Sequence, residues 1–331
     1  MKEIAVVLLN WNGIELLKTF LPSVVKHSIE AQIYLADNGS TDDSLAWVKE
    51  NYSDIKIIEN RYNHGFAGGY NVALANVEEP YYALVNTDIE VTENWLTPVL
   101  ETFKNNGKIA VIQPKIKDYK NKEYFEYAGA AGGFIDNFGY TFCRGRVFNS
   151  LEKDKGQYNQ ETEIFWASGA CFFIRKEVYR NLGGFDEDFF AHQEEIDLCW
   201  RIQNRGHKIM YCPSSTVFHL GGGTLSASST KKTFLNFRNS LSMLAKNLPK
   251  KQIIKIIFAR LILDGLAGIR FVFKGKPLHT IAIIKAHFAF YTSYSKMKNK
   301  RKGNEKVNYF KIKNIPYFYF IKKKTKYSDL F

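Results

Sequence analysis

Residues 4–9 form an unbroken apolar run rich in β-branched side chains, the pattern of a strand buried on both faces. A helical pattern follows over about residues 14–27. Strand patterns return at 32–36, 55–59, 81–85 and 109–113, with helical patterns between them at 42–51, 65–77 and 93–105. Strand and helix alternate through short connections, which predicts an α/β fold built on a doubly wound, mainly parallel sheet flanked by helices. From residue 114 to about 163 the alternation gives way to Gly-, Tyr-, Phe- and Asn-rich sequence, read as an insertion of loops and short strands. Regular patterns resume with a strand at 170–174, a helix at 192–205 that Gly206 stops, and a strand-like run at 215–218. Beyond about residue 226 the chain turns helical, basic and aromatic. Two units are therefore expected, residues 1–225 and 226–331.

Charge sharpens that division. The formal net charge of the 331 residues is +13, but residues 246–331 hold 21 Lys and Arg against 3 Asp and Glu. The remainder, with 25 basic and 30 acidic residues, is mildly acidic. Four cysteines (Cys143, Cys171, Cys199, Cys212) show no CxxC spacing and read as reduced, buried thiols. The opening Met-Lys-Glu runs directly into the first strand, too short and too promptly polar for a signal peptide, so a cytoplasmic protein is expected.

In a doubly wound sheet, ligands sit outside the carboxyl ends of the strands. Here the first strand ends in Asn10-Trp11-Asn12-Gly13, the second in Asp37-Asn38-Gly39-Ser40-Thr41-Asp42, and the fourth in Asn86-Thr87-Asp88. Taken singly, each cluster also fits turn and capping chemistry. Together, at one sheet edge, they suit hydrogen bonding to a base and ribose and a hard divalent cation for phosphates. Such an ion takes one or two carboxylates plus phosphate oxygens, so Asp88 suffices in principle. The segment from Asn63 through Gly65 to Asn71 offers close backbone approach at a helix start, without matching a dinucleotide fingerprint.

On the helix at 192–205, Glu195, Leu198, Cys199 and Ile202 share a face, so Glu195 rides an apolar stripe and is expected to point inward. Desolvation would raise its pKa, as a general base at neutral pH requires. The alternative is a solvated acidic patch with an Asp197–Arg201 ion pair. His219 precedes glycines 221–223, which favours a site beside a mobile loop over a satisfied structural histidine.

The ordered motifs resemble the inverting glycosyltransferases of family 2, with a GT-A fold, and within them the rhamnosyltransferase-like branch. The segments that carry the resemblance are 6–12, 37–42, 63–71, 84–88, 166–170 and 194–201, with Asn236-Phe237-Arg238-Asn239 beyond them. The resemblance implies a nucleotide-binding half at 1–113 and an acceptor half at 114–225. Asn10, Asn12, Asp37, Asn63, Gly65, Asn71, Asn86 and Asp88 would bind the nucleotide-sugar donor. Trp166, Ser168 and Gly169 would line the acceptor side. Asn86-Thr87-Asp88 stands where the family has Asp-x-Asp, so Asp88 would hold Mg²⁺ or Mn²⁺, with His219 as second ligand. Glu195 takes the place of the family's catalytic Asp, and Glu194 stays open as an alternative base. The acceptor would be a glycan or a lipid-linked glycan.

For the tail, four charges within the apolar stretch 253–273 argue against a membrane span. Basic clusters interleaved with aromatics suit an anionic membrane surface at the inner face of the cell membrane. The alternatives are a solvated appendage, a dimerisation surface or a nucleic-acid contact, and no nucleic acid is expected. A sugar-nucleotide binder that has lost catalysis is the rival reading, supported by the departures at Asn86 and Glu195.

Overall fold

A computed structural model describes residues 2–221, 229–301 and 308–331. The expected boundary at 225/226 and the glycines at 222–223 lie outside the described residues. The first half alternates as the hydrophobic pattern predicts: β1 (Ile4–Asn10), α1 (Ile14–His27), β2 (Gln32–Asp37), α2 (Ser44–Asn51), β3 (Lys56–Glu59), α3 (Gly65–Leu74), β4 (Tyr81–Asn86), β5 (Ile89–Val91), α4 (Thr97–Asn105) and β6 (Ile109–Asp118). The insertion holds four short strands, β7 (Gly133–Ile135), β8 (Thr141–Cys143), β9 (Arg146–Val147) and β10 (Ser150–Leu151), paired as a small antiparallel sheet. After β11 (Thr162–Glu163) come β12 (Cys171–Arg175), α5 (Lys176–Asn181), α6 (Glu194–Asn204) and β13 (Lys208–His219). Three long helices follow: α7 (Thr230–Asn247), α8 (Ile253–Phe273) and α9 (Pro277–Asn299).

The main sheet runs β11-β13-β6-β12-β4-β1-β2-β3. The pairs β1–β2, β1–β4, β2–β3 and β6–β13 are parallel, while β12 enters antiparallel between β4 and β6. The unbroken apolar run of β1 has a simple cause. Ala5 and Val7 enter the core on one face of the sheet, and Ile4, Val6 and Leu8 enter the core on the other. All four cysteines are buried free thiols, as their spacing predicts.

The C-terminal helices share the main core. Met243, Leu244, Leu248, Ile253 and Ile256 join the cluster that holds Trp200 and Phe165, together with Tyr309, Ile312 and Ile315 from the last segment. Asp136, fully buried, accepts hydrogen bonds from the backbone N–H of Phe138, Tyr140 and Ile315 and so fastens that segment to the insertion. Lys246 of α7 lies 2.8 Å from Asp197 of α6 and 2.6 Å from Asp186, all three buried. Burial alone would raise both carboxyl pKa values. Lys246 outweighs it, with help from Lys300 on Asp186 and from Arg201 on Asp197. Asp186 is held at about 2, and Asp197 sits below its ordinary range.

Removing the shared cation leaves buried carboxylates short of a partner, which costs about 3 kcal/mol or more. Lys246→Met is therefore expected to lower the thermal midpoint clearly at pH 7. Both carboxyl pKa values are depressed on folding, so this contribution is present above about pH 4 and fades as the pH falls towards 2. Thermal melts of variant and wild type should converge in acid; a constant gap across that range would contradict the assignment.

Candidate active site

The first two strand ends are knitted to each other. Asn10 is buried, and its Nδ2 donates to Ser44 Oγ (2.8 Å), Ser40 Oγ (3.1 Å) and Asp37 Oδ1 (3.2 Å), while its Oδ1 has no partner. Asp37 Oδ2 accepts from the Ser40 N–H at 3.0 Å. Asn12 sits at φ 51° and accepts the Thr41 N–H at 2.7 Å through its side-chain oxygen. A β-carbon on Gly13 would come within 2.5 Å of Asn10 Oδ1, so only glycine leaves that amide its place.

Asn38 extends the network to the third strand end. Its Nδ2 donates to Asn63 Oδ1 (3.1 Å) and the Gly65 carbonyl (3.0 Å), and its Oδ1 accepts from Asn60 Nδ2 (3.1 Å). Gly65, at φ 72°, sits where a β-carbon would meet the Phe190 carbonyl at 2.6 Å. Asn71 does not present its amide to this network. Nδ2 donates to the Phe185 carbonyl and Glu187, and Oδ1 accepts from Tyr179 Oη and the Phe185 N–H.

Beyond β4, Asn86 is partly exposed and its N–H donates to the Ala170 carbonyl at 3.0 Å. Asp88 is buried, with Oδ1 3.2 Å from His219 Nε2. Pairing of β5 with the end of β13 sets Ile89 opposite His219 and creates this contact. The other imidazole nitrogen, Nδ1, lies 3.3 Å from Glu126 Oε1 but off the line of a hydrogen bond. Burial opposes the imidazolium, but Glu126 and then Asp88 outweigh it and raise its pKa to about 10. Burial likewise opposes the Asp88 carboxylate, and His219 more than compensates, holding its pKa down.

On the facing side, Glu194 and Glu195 open α6. Glu194 is buried, whereas Glu195 is partly open, and each has one carboxylate oxygen without a partner. Burial pushes the Glu195 carboxyl up to about 7; burial and the neighbouring Glu195 raise Glu194 as well. The Glu195 Cβ lies 3.9 Å from where a β-carbon on Gly169 would be. Residues 169–170 therefore stand between Glu195 and Asn86. Trp166 and Ser168 do not face a cleft. Trp166 is buried against Gly133 with its indole N–H on the Phe134 carbonyl (3.0 Å), and buried Ser168 accepts the Ala170 N–H at 3.2 Å.

Several residues of the site went unmarked in the sequence. Glu126 lies in the insertion, where no periodicity points to it. His192 and Gln193 each keep a buried side-chain atom without a partner, so four consecutive residues, 192–195, share that property. Burial, then Lys232, lowers the His192 pKa to about 4. Phe190, His192 and Gln193 all have positive φ (64°, 71° and 74°), a strained backbone for such side chains. Asn239 of α7 holds it: Nδ2 lies 2.9 Å from the carbonyls of Phe189 and Ala191 and 2.7 Å from that of His192. Arg238 donates to the carbonyls of Asp188 and Phe189.

The glycosyl transferase family 2 model matches residues 5–183, more than half of the chain, which therefore belongs to that family. Among curated proteins it is similar to an N-acetylglucosaminyl-diphospho-decaprenol L-rhamnosyltransferase of Mycobacterium tuberculosis, 23% identical over 202 residues, 56% of this chain and 66% of the relative. It is also similar to the low-salt glycan biosynthesis hexosyltransferase Agl10 of Haloferax volcanii, 22% identical over 281 residues, 83% of this chain and 86% of the relative. A third relative is the rhamnosyltransferase WbbL of Escherichia coli, 24% identical over 163 residues, 47% and 61% of the two chains. The fold matches GalNAc-T7 solved with UDP, GalNAc and Mn²⁺ at a TM-score of 0.60, with 19% identity over 76% of this chain and 49% of that one. It matches Staphylococcus aureus TarS 1–349 with UDP-GlcNAc at 0.58, with 14% identity over 90% and 84%. The fold is thus of the GT-A type.

Among the described residues, no group of three or more His, Cys, Asp and Glu side chains forms a ready cation cage. Asp88 and His219 nevertheless fit a divalent ion that draws its other ligands from substrate. Their 3.2 Å spacing suits neighbouring ligands of one small cation once the imidazole has given up its proton, and Glu126 lies beside the other ring nitrogen.

Asn239→Ala is expected to free the three carbonyls it holds. Amide exchange over residues 190–195 should rise at least about fivefold, one lost hydrogen bond being worth about 1 kcal/mol or more, while the central strands keep their protection. Unchanged exchange in that loop would show that the clamp is dispensable.

Proposed function

We propose that this protein transfers a sugar from a nucleoside-diphosphate sugar, dTDP-rhamnose or a UDP-hexose, to a glycan or lipid-linked acceptor, by single displacement with inversion. The observation that carries the reading is Glu195. It is a carboxylate with a pKa near 7 and an unpartnered oxygen, beside Gly169 and across from the Asn86 strand end. The names of the mycobacterial and enterobacterial relatives support a rhamnosyl donor, and the mycobacterial name describes a lipid-diphosphate acceptor.

In this reading Asn10 and Asp37 hold the nucleoside, Asn10 through its free Oδ1. Asp88 and His219 hold a divalent cation, which when bound would offset negative charge on the diphosphate. Glu195 takes the proton from the acceptor hydroxyl as that oxygen forms its bond to the anomeric carbon. The bond to the nucleoside diphosphate breaks on the opposite face, and the electron pair leaves with the phosphate oxygen. No covalent glycosyl-enzyme intervenes, so Glu195 remains a base throughout. Burial and the neighbouring Glu195 raise the pKa of Glu194 beside it, which opposes two charges on the pair. The site works at the inner face of the cell membrane, with the protein attached peripherally.

The test is nucleoside diphosphate release from a panel of dTDP-, UDP- and GDP-sugars, with membrane lipid extract as acceptor. Glu195→Gln should lower kcat by about 10²–10⁴ while nucleotide still binds. For the wild type, kcat/KM should rise about tenfold per pH unit below roughly pH 7 and level off above it, since the base must be unprotonated. EDTA should abolish turnover, as should Asp88→Ala. Nucleotide binding without release from any donor would instead identify a sugar-nucleotide-binding protein.

A further inference from the structure

Helices α8 and α9 bury charged groups yet leave long apolar stripes facing outward, while the inward side of α9 is mostly apolar, with Ala282, Ile283, Ala286 and Phe290. On α8 the side chains turned towards the protein are Ile253 and Ile256 in its first turn and then Arg260 and Asp264, both buried, where a globular helix would continue its apolar stripe. Asp264 accepts hydrogen bonds from Tyr140 Oη (2.9 Å) and Arg260 Nε (3.1 Å) and lies 3.1 Å from His287 Nε2 of α9. Arg260 also donates to Ser240 of α7 at 2.8 Å. These contacts fix which face of the hairpin looks inward.

The outward face is apolar. On α8, Ile254, Phe258, Ile262, Leu266, Ile269 and Phe273 recur every three or four residues, and all are exposed, Ile254 by 83% and Phe273 by 87%. On α9, Leu278, Ile281, Ile284, Phe288 and Tyr291 make a second exposed stripe. The helices run antiparallel, joined where Thr280 Oγ1 donates to the Gly268 carbonyl (2.7 Å) and Phe271 stacks on His279. A soluble surface rarely leaves so much contiguous apolar area in water.

Charge around the face decides what covers it. Lys251, Lys255, Arg270, Lys274, Lys276 and Lys285 are exposed along its edges and at its turn. Across residues 246–301 the sole acidic residue is Asp264, and it is buried. A second copy seated on this face would set one basic rim against another. An anionic lipid surface instead answers both features, taking the apolar stripes into the acyl boundary and the lysines among the headgroups. No helix among the described residues is long and apolar enough to cross a membrane. The hairpin would therefore lie along the interface, its Arg260–Asp264–His287 side turned to the protein.

We infer that the outward face of the α8–α9 hairpin is a membrane-docking surface for anionic bilayers. It deepens the peripheral attachment proposed above by naming the surface, and it rests on that attachment, not on sugar transfer. The turn end of the hairpin also lies near the catalytic loop: Thr233 of α7 meets His279 Nδ1 at 2.7 Å, and the neighbouring Lys231 lies over the Phe190 ring at 5.3 Å. Docking there brings the entrance of the 190–195 loop close to the headgroup layer, where a lipid-linked acceptor would present its sugar.

The experiment is co-sedimentation of the full chain with vesicles of phosphatidylcholine alone and of phosphatidylcholine mixed with phosphatidylglycerol. Binding is expected to the mixed vesicles only, weakening as salt rises. A Phe258→Glu, Phe288→Glu double variant should bind at least about tenfold more weakly. A Lys274→Glu, Lys276→Glu variant at the exposed turn should also weaken binding, and it decides the matter if the first variant does not fold. No binding to the mixed vesicles, or undiminished binding by a folded variant, overturns the inference. So does a wild-type dimer in solution that the double variant converts to monomer, since a second copy then covers the face. Nucleoside diphosphate release onto a soluble acceptor, measured in parallel, is independent of docking. Vesicle binding without turnover would sink the enzyme reading alone, and turnover without vesicle binding would sink this one alone.

Discussion

The Asp197 carboxylate is fully buried, and the orientation of α6 follows from what answers its charge. Lys246 and Arg201 each lie 2.8 Å away, and Asn247 donates to it at 2.7 Å. A buried ion pair adds little net stability over an apolar contact of the same shape, but it tolerates only one arrangement. Successive residues of a helix are about 100° apart, so Asp197 and Glu195 stand on roughly opposite sides of α6. Anchoring Asp197 to α7 therefore turns Glu195 towards Gly169. The helical extension thus sets how α6 presents Glu195.

The same extension holds the strained entrance to α6. Positive φ at Phe190, His192 and Gln193 costs on the order of 1–3 kcal/mol at each residue. That strain persists because Asn239 and Arg238 tie down the surrounding carbonyls, and because Gly65 leaves room for Phe190. Four neighbouring residues with unpartnered buried polar atoms follow from this geometry. A ligand arriving there meets groups that are already desolvated and already aimed, and such groups interact more strongly than solvated ones.

Ionic chemistry also shapes the outer side of the molecule. Arg260, Asp264 and His287 satisfy one another beneath the hairpin, so the protein-facing side of α8 is polar beyond Ile256 and most of its apolar residues face outward. One extension thus braces the 190–195 loop on its inner side and offers an apolar, basic-rimmed face on its outer side.

The fold was largely legible in the sequence because its elements are local and periodic. The apolar run at residues 4–9 marks a strand buried on both faces, and the pattern at 14–27 matches α1 end to end. That Asn10, Asp37, Asn63 and Asp88 come together could be read because a parallel sheet gathers its strand ends at one edge. The roles of Asn71, Trp166 and Ser168 could not be read in this way. An amide, an indole or a hydroxyl looks the same in a chain whether it faces a ligand or a carbonyl, and these three meet protein atoms. Glu126 and Asn239 are distant in sequence from the groups they serve and belong to no local pattern. The periodicity of α6 placed Glu195 on an apolar face, yet Glu194 is the more buried of the pair, because the anchoring of Asp197 sets the rotation of the helix. The chain by itself determined the elements, their order and the chemistry at the strand ends. Tertiary structure alone decided which polar groups were left unpaired, since that depends on contacts between residues 40 to more than 100 positions apart.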